Sequence, residues 1–294
     1  MAGAVLAQPA TTRALGLDGA FTGVVGDAGS IFVNPAGLAP IHKVALEVGY
    51  HRFPLDSYLA SAEGVMRTGR FDLGLGVNVL NYGRDTAYRL DPAFGGDRVA
   101  DPGGTSVGAY SAEAVGAVAY RFGMFSIGAS AKYLGDHLSI PDTTLYSASG
   151  FGFDAGAALA FFDIAAFGVA VQNLGGDLRT NAGTPAPLPH TVRAGFSLNI
   201  VDPEDTPRLM LVGDWVSPRG SRNYWLFGAE GGLVSDGVGL LGRVGVATGR
   251  APTGQRSLVF GGSLVFHALQ LDYGYQGSNA LGAATSRVGL RWSP

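Results

Sequence analysis

The stretch FDLGLGVNVLNY, residues 71–82, alternates strictly between large apolar residues and small or polar ones. Successive side chains of a β-strand point to opposite faces, so this pattern predicts a strand with one apolar face and one face of small and polar groups. The apolar face carries Phe71, Leu73, Leu75, Val77 and Val79, and the opposite face carries Asp72, Gly74, Gly76 and Asn78.

The same alternation recurs along the chain in roughly fourteen segments of about ten residues, the length of a tilted strand that crosses a bilayer. An even number of such strands can close with both chain ends on one side. The sequence therefore predicts an all-β fold, a transmembrane antiparallel outer-membrane β-barrel of about 14 strands. The predicted strands are 44–51, 57–66, 71–82, 108–121, 125–133, 149–161, 164–174, 190–200, 208–217, 222–232, 237–247, 256–266, 268–276 and 284–292.

Composition supports a membrane protein built from strands. The 294 residues are 47% hydrophobic and only 15% charged, with 47 glycines and a mean hydropathy of +0.21. This composition is too apolar and too glycine-rich for an ordinary soluble enzyme. The sequence contains no run of about 18 apolar residues that would indicate a helical span. A soluble sandwich would carry Lys, Glu and Thr opposite its apolar face, where this chain has Gly, Ser, Ala and Asn. The net charge of −3 without a basic cluster argues against a nucleic-acid partner.

The predicted connections alternate between short and long, as in outer-membrane barrels with short periplasmic turns and longer outer loops. This alternation predicts a bacterial outer-membrane location with the N- and C-termini in the periplasm. The short connections are 67–70, the turn at Gly123, 162–163, 201–206, 235–237 and His267, and the longer ones are 84–106, 135–148, 175–189, 248–255 and 277–283.

The segment Arg13–Ala39 fits neither a strand nor a long amphipathic helix, yet it is rich in apolar residues that would be costly to leave in water. We expect it to form a compact plug inside the barrel. Before it, Val5-Leu6-Ala7 resembles the end of a secretory signal. The predicted domains are thus residues 1–7, a signal-peptide remnant, residues 8–42, an N-terminal hatch or plug, and residues 43–294, the barrel.

Charged residues on the small and polar face would point into the barrel, where buried charges need partners. We expect a polar network between plug and wall, and the alternative is a water-filled pore with scattered charges. The network is predicted to contain Arg13, Asp18 and Asp27 from the plug with Glu47, Asp72, Arg193, Arg243, Asp272, Arg287 and Arg291 from the wall. In the plug motif Asn34-Pro35-Ala36-Gly37, the Asn34 amide can satisfy turn backbone groups and Pro35 fixes the chain.

No motif of the sequence indicates an enzyme. Residues 237–242 spell GxGxxG, but the strand continues after them where a dinucleotide site needs a helix. The five histidines have no metal-ligand spacing, and Asp136-His137 lacks a nucleophile motif. The sequence therefore predicts no catalytic, cofactor-binding or metal-binding residue.

Four stretches together resemble the PorV/PorQ family of outer-membrane proteins, relatives of the long-chain fatty-acid transporter FadL. The resemblance implies a fourteen-stranded, non-enzymatic barrel with an N-terminal hatch, and its best-known members hold the C-terminal domains of proteins secreted by the type IX system. The matching stretches are GAFTGVVGDAGSIFVNPAGLA (19–39), VAVQNLGG (169–176), PLPHTVRAGFSL (187–198) and LDYGYQGSNALGAATSRVGLRW (271–292).

Two functions follow as hypotheses. The first is a PorV-like accessory component in protein secretion or surface assembly, whose partners would be outer-membrane lipids and a secreted protein's C-terminal domain or a larger translocon. The second is a FadL-like channel for uptake of a hydrophobic ligand. An apolar conduit needs a continuous apolar pocket. Because the inward positions read as Gly, Ser and charge, the sequence favours the first function.

Overall fold

The computed structural model describes residues 3–39, 41, 43–86, 88–91, 97–100, 106–162, 164–201, 207–248, 258–277 and 284–294. No helix in these ranges is long and apolar enough to cross a membrane. Among the described residues, the short helices are Ala4–Ala7, Thr12–Gly16, Ala28–Phe32 and Pro35–Leu38, all before the first strand. The strands are β1 (Val44–Arg52), β2 (Tyr58–Thr68), β3 (Phe71–Thr86), β4 (Tyr88–Asp91), β5 (Asp97–Ala100), β6 (Ser106–Phe122), β7 (Phe125–Ile140), β8 (Thr143–Phe161), β9 (Ala165–Leu174), β10 (Arg179–Thr180), β11 (Thr191–Val201), β12 (Pro207–Pro218), β13 (Tyr224–Ser235), β14 (Val238–Thr248), β15 (Leu258–Phe266), β16 (Leu269–Gln276) and β17 (Thr285–Trp292).

Fourteen of these strands form one closed antiparallel barrel, which confirms the predicted fold class. Each barrel strand pairs with its neighbours in chain order, and β1 closes the ring by pairing with β17. The two-residue strand β10 is an extra strand beside β8, and β4 and β5 pair only with each other. Closure leaves the barrel without the unpaired strand edge of an open sheet.

The barrel has two distinct ends. At the loop end, residues 53–57 join β1 to β2 and residues 175–190 join β9 to β11. At the turn end, residues 69–70 join β2 to β3, and the chain enters β1 and leaves β17. The side chains that fill the interior differ between the loop end and the turn end.

One predicted outer loop is wrong. Residues 135–148 belong mostly to β7 and β8, which continue to a tight turn at Pro141 and Asp142. Asp142 adopts φ 60°, a left-handed conformation that Asp tolerates in turns. In the predicted loop 84–106, β3 extends to Thr86, strands β4 and β5 occupy part of the connection, and the remaining positions lie outside the described residues.

The outer face of the barrel is apolar. Leu46 and Val48 of β1 and Leu75 of β3 are exposed on it by 45%, 52% and 74%. Outward aromatic rings pack together near both ends, with Phe71 and Tyr120 centred 5.0 Å apart at the turn end and Tyr50 and Tyr58 5.4 Å apart at the loop end. An apolar surface that runs around the whole barrel with aromatic rings toward its rims is typical of a membrane-embedded wall.

Candidate functional site

Residues 12–39, here called the N-terminal segment, follow the inner wall around most of the barrel, and almost all of their side chains are buried. Several inward wall positions beside the segment are glycines, and a Cβ atom at these positions would overlap or crowd it. This explains why one face of the strands is so rich in glycine: the backbone of the segment lies directly against the wall. The contacts are Gly289 of β17 with Thr12, Gly274 of β16 with Leu15, Gly245 of β14 with Leu17 and Asp18, Gly168 of β9 with Thr22, and Gly128 of β7 with Pro35.

Wall side chains satisfy backbone carbonyls of the N-terminal segment, which has little regular secondary structure of its own. Ser197 Oγ donates to the Gly23 carbonyl at 2.9 Å, and Ser126 Oγ donates to the Ala36 carbonyl at 3.0 Å. Gln172 Nε2 lies 3.0 Å from the carbonyls of Phe32 and Val33. The inward polar residues of three different strands therefore hold the segment by hydrogen bonds.

A chain of ion pairs joins the segment to the wall through Arg13 and Asp27. Arg13 donates to Asp27 at 2.8 Å and to Glu230 of β13 at 2.6 Å. Arg291 of β17 donates to Asp27 at 3.0 Å and to Glu47 of β1 at 2.9 Å. The cluster continues to Arg243, which pairs with Glu230 and lies 2.9 Å from Asp272.

Asp27 is both an ion-pair partner and a helix cap. Its Oδ1 accepts a hydrogen bond of 2.8 Å from the Gly29 N–H at the start of helix Ala28–Phe32. Burial alone would raise the pKa of this carboxyl, but the guanidinium groups of Arg291 and Arg13 outweigh burial and lower it. Asp27 therefore stays ionised in the interior.

A second cluster forms around Asp214 of β12. Its carboxylate accepts hydrogen bonds from the backbone N–H groups of Phe21 and Thr22 at 3.1 and 3.0 Å. Arg193 of β11 pairs with Asp214 at 2.7 Å and also donates to the Gly19 carbonyl. Arg193 is thus joined to the segment through this cluster and not through Arg13.

Arg287 of β17 contacts the chain just before the segment. Its guanidinium is fully buried and donates to the carbonyls of Pro9, at 2.6 Å, and Ala10, and to Ser61 Oγ at 2.6 Å. Guanidinium donors thereby hold a stretch of backbone that has no strand partner.

Asn34 and Pro35 form a capped turn in the N-terminal segment. Asn34 Oδ1 accepts from the Ala36 N–H at 3.2 Å and caps helix Pro35–Leu38, with Pro35 at its first position. Asn34 Nδ2 donates to the Thr22 carbonyl at 2.9 Å and to the Ala157 carbonyl of β8 at 3.3 Å. One amide thus joins two parts of the segment to the wall.

Two residues of the predicted network lie apart from these clusters. Asp72 pairs with Arg67 of the neighbouring strand at 3.0 Å. Asp18 is largely buried against the backbone of Ala247, and burial raises the pKa of its carboxyl to about 7. Within the described residues, no group of three His, Asp or Glu side chains is placed to hold a metal ion.

The loop end encloses an apolar cluster that the sequence did not predict. Leu59 of β2, Leu80 of β3 and Leu134 of β7 are its wall residues, and each is buried. Phe53, Tyr82 and Tyr146 pack at its edge. We call this group the apolar compartment, and Val5, Leu178 and Leu188 complete it.

The compartment escaped prediction because half of it comes from residues outside the wall. Val5 precedes the N-terminal segment, and Leu178 and Leu188 belong to the connection between β9 and β11. A signal exists in β3, whose inward positions change from Gly74 and Gly76 to Asn78 and then Leu80 toward the loop end. The inward face of β3 therefore leaves room for the N-terminal segment at its middle and contributes an apolar side chain at its loop end.

The barrel has the fold of outer-membrane transport proteins of the FadL type. No protein-family model and no curated protein matches the sequence. Among solved structures, the toluene transporter TbuX of Ralstonia pickettii is 13% identical with a TM-score of 0.62, and 99% of each chain is covered. The toluene transporter TodX of P. putida is 12% identical with a TM-score of 0.60, again over 99% of each chain. A FadL homologue of Pseudomonas aeruginosa is 15% identical with a TM-score of 0.56, over 96% of this chain and 98% of that one.

Proposed function

We propose that this protein is a non-enzymatic outer-membrane channel for the uptake of hydrophobic small molecules. The observation that carries the proposal is the apolar compartment at the loop end of the barrel, where residues of the wall meet Leu178 and Leu188 of the connection between β9 and β11. A small apolar molecule that leaves water and packs among these side chains gains about 25 cal/mol per Å² of apolar surface buried. The loop end faces the outside in this proposal, and both chain ends lie in the periplasm.

The comparisons with solved structures support the hydrophobic channel over the PorV-like secretion component. The solved structures with the same fold include two toluene transporters and a FadL homologue. The compartment is an apolar group in the barrel mouth, where the sequence had indicated inward glycine, serine and charged residues, and this also supports the channel. We therefore place the hydrophobic channel first, and the PorV-like role in secretion has no supporting observation.

We propose that residues 12–39 act as the hatch of this channel. Their ion pairs to Glu230 and Arg291, their backbone hydrogen bonds to Asp214 and their backbone contacts with wall glycines support a seated position that closes the path toward the turn end. Such buried ion pairs favour one position of the segment, because a displaced segment would leave buried charges of the wall unpaired. A hatch held in this way would open by movement of the segment as a unit. Residues 1–7 as a signal remnant remain a prediction.

Uptake by intact cells tests the function. The protein is expressed in a Gram-negative host from which its own hydrocarbon and fatty-acid channels are deleted, and entry of radiolabelled toluene and palmitate is measured. We expect faster entry of at least one of these solutes than in cells with an empty vector, and no change for glucose. Equal rates for both apolar solutes with and without the protein contradict the proposal.

A further inference from the structure

The connection between β9 and β11, residues 175–190, folds back into the mouth of the barrel. Leu178 and Leu188 are its two buried residues, at 1% and 5% exposure, and most of the others face solvent. Leu178 and Ala186 exchange backbone hydrogen bonds of 2.8 and 3.3 Å, so the loop is a narrow hairpin-like flap. Only its apolar side chains enter the barrel.

Both leucines end in the apolar compartment, beside wall residues Leu59, Leu80 and Leu134. The wall is shaped to receive them: a Cβ atom at Gly150 of β8 would lie 2.8 Å from Leu178 Cδ2. The flap therefore fills part of the space that we assign to the solute, and solvent lies on its other side.

The flap is attached to β8 near its start and to β9 and the residue after β12 at its end. Arg179 and Thr180 of β10 pair with Ser149 and Ala148 of β8, and Asn181 exchanges hydrogen bonds of 3.1 and 2.9 Å with Ser147. The flap starts at Gly175 and Gly176, and Gly175 has φ 154°, a conformation that side-chain-bearing residues rarely adopt.

The flap's end is held by hydrogen bonds. Asn173 Nδ2 donates to the Pro189 carbonyl at 2.9 Å, and the Arg219 N–H donates to the His190 carbonyl at 2.8 Å. The short attachment to β8, which ends at Asn181 and follows the glycine pair, is the part of this loop that we expect to open most readily.

We propose that residues 175–190 are a displaceable cover, and that Leu178 and Leu188 occupy the place of an aliphatic or small aromatic hydrocarbon. This inference rests on the proposed channel function. When the solute enters, apolar surface of the solute is buried and that of the two leucines is released, so the two effects offset each other and the exchange needs little net free energy. Val5, by contrast, belongs to the chain before the N-terminal segment, and its N–H donates to Ser111 Oγ of the wall.

A disulfide between β8 and β10 tests the cover. Ser149 and Arg179 are paired residues of the antiparallel ladder, a geometry that a disulfide can span, and the chain has no cysteine of its own. In the variant Ser149→Cys/Arg179→Cys, oxidation should lower toluene entry into cells at least tenfold, and the reductant TCEP should restore it. The matched control is Met66→Cys/Leu73→Cys, a paired position of β2 and β3 at the turn end, whose oxidation should leave entry unchanged.

The outcomes separate the cover from the channel. If the oxidised Ser149→Cys/Arg179→Cys protein takes up toluene at the wild-type rate, the cover is overturned and the channel stands. If the wild-type protein gives no uptake of toluene or palmitate above the empty vector, both are overturned.

A second variant shortens the two leucine side chains that would compete with the solute, and it leaves the loop free to move. In Leu178→Ala/Leu188→Ala we expect the toluene concentration for half-maximal uptake to fall several-fold, because the solute displaces less apolar surface. The control is Leu145→Ala, an exposed residue of β8. If the double variant instead needs more toluene, or takes up less at every concentration, the leucines are only structural and the proposal is overturned.

Discussion

Arg13 and Glu230 form a two-pronged ion pair between the N-terminal segment and strand β13. Arg13 Nη2 donates to Glu230 Oε1 at 2.6 Å, and Arg13 Nε donates to Glu230 Oε2 at 2.9 Å. The remaining terminal nitrogen, Nη1, donates to Asp27 at 2.8 Å. The planar guanidinium therefore fixes the orientation of the segment relative to the wall as well as its distance.

Replacing Arg13 should loosen the seated segment. In Arg13→Met, the carboxylates of Glu230 and Asp27 each lose a buried partner, which costs on the order of 3 kcal/mol. We expect hydrogen–deuterium exchange of backbone amides in residues 12–39 to rise about a hundredfold, the rate equivalent of that free energy. The control is Arg52→Met, because its pair with Asp56 is 3.9 Å long and solvent-exposed. Unchanged exchange in Arg13→Met would show that the ion pair does not hold the segment.

A methyl group on the inner wall should displace the segment. A Cβ atom at Gly168 overlaps the Thr22 carbonyl and lies 2.8 Å from Asn34 Nδ2. Gly168→Ala should therefore cost at least the ~1–3 kcal/mol of a typical overpacked site and raise ion conductance in planar bilayers. In Gly116→Ala, the nearest atom to the new methyl group would be Leu75 Cδ2 at 3.7 Å, so conductance should stay at the wild-type level. Similar conductance of the two variants would contradict a segment seated on Gly168.

The strands and the barrel could be predicted from sequence because the period of two is a local property. Alternation such as that of residues 71–82 fixes which side chains face lipid, and it extends over almost every strand. The error at residues 135–148 arose because Pro141 and Asp142 make a tight turn where a longer loop was expected. The length of this connection depends on how far β7 and β8 continue their pairing, and the polar residues of 135–148 do not show where that pairing ends.

The interior was less predictable, because it depends on which residues meet across the lumen. Placing Arg243 and Arg291 on the inward face requires only alternation, but their pairing with Glu230 and Asp27 depends on the path of the segment. Asp18 is an acidic residue of the same segment as Asp27, yet it faces the backbone of Ala247 and forms no ion pair with another described residue. Charge type alone could not distinguish these two carboxyls.

The seating of the segment should depend on pH through Asp18. Burial raises the pKa of this carboxyl to about 7, above its ordinary value of 3.8. The seated state therefore binds the proton more tightly than the unseated state, so its stability falls as pH rises between about 4 and 7 and then levels off. Exchange of amides in residues 12–39, corrected for the intrinsic pH dependence of exchange, should be faster at pH 8 than at pH 5. Asp18→Asn should remove this difference, and a difference that persists in Asp18→Asn would assign it to another group.

A polar group inside the apolar compartment should weaken uptake of apolar solutes. Leu134 is 1% exposed and packs in the compartment with Leu59 and Leu178, so Leu134→Asn would bury an amide among apolar side chains. An unsatisfied buried amide costs about 1–3 kcal/mol, and water drawn in to satisfy it would compete with the solute. We expect entry of radiolabelled toluene to fall about tenfold while the amount of folded barrel in the outer membrane, measured by its heat-dependent gel mobility, stays the same. Leu134→Met keeps the volume and apolar character and should retain uptake. Wild-type uptake by Leu134→Asn would mean that the solute does not pass through the compartment, and equal losses in Leu134→Asn and Leu134→Met would point to packing instead of polarity.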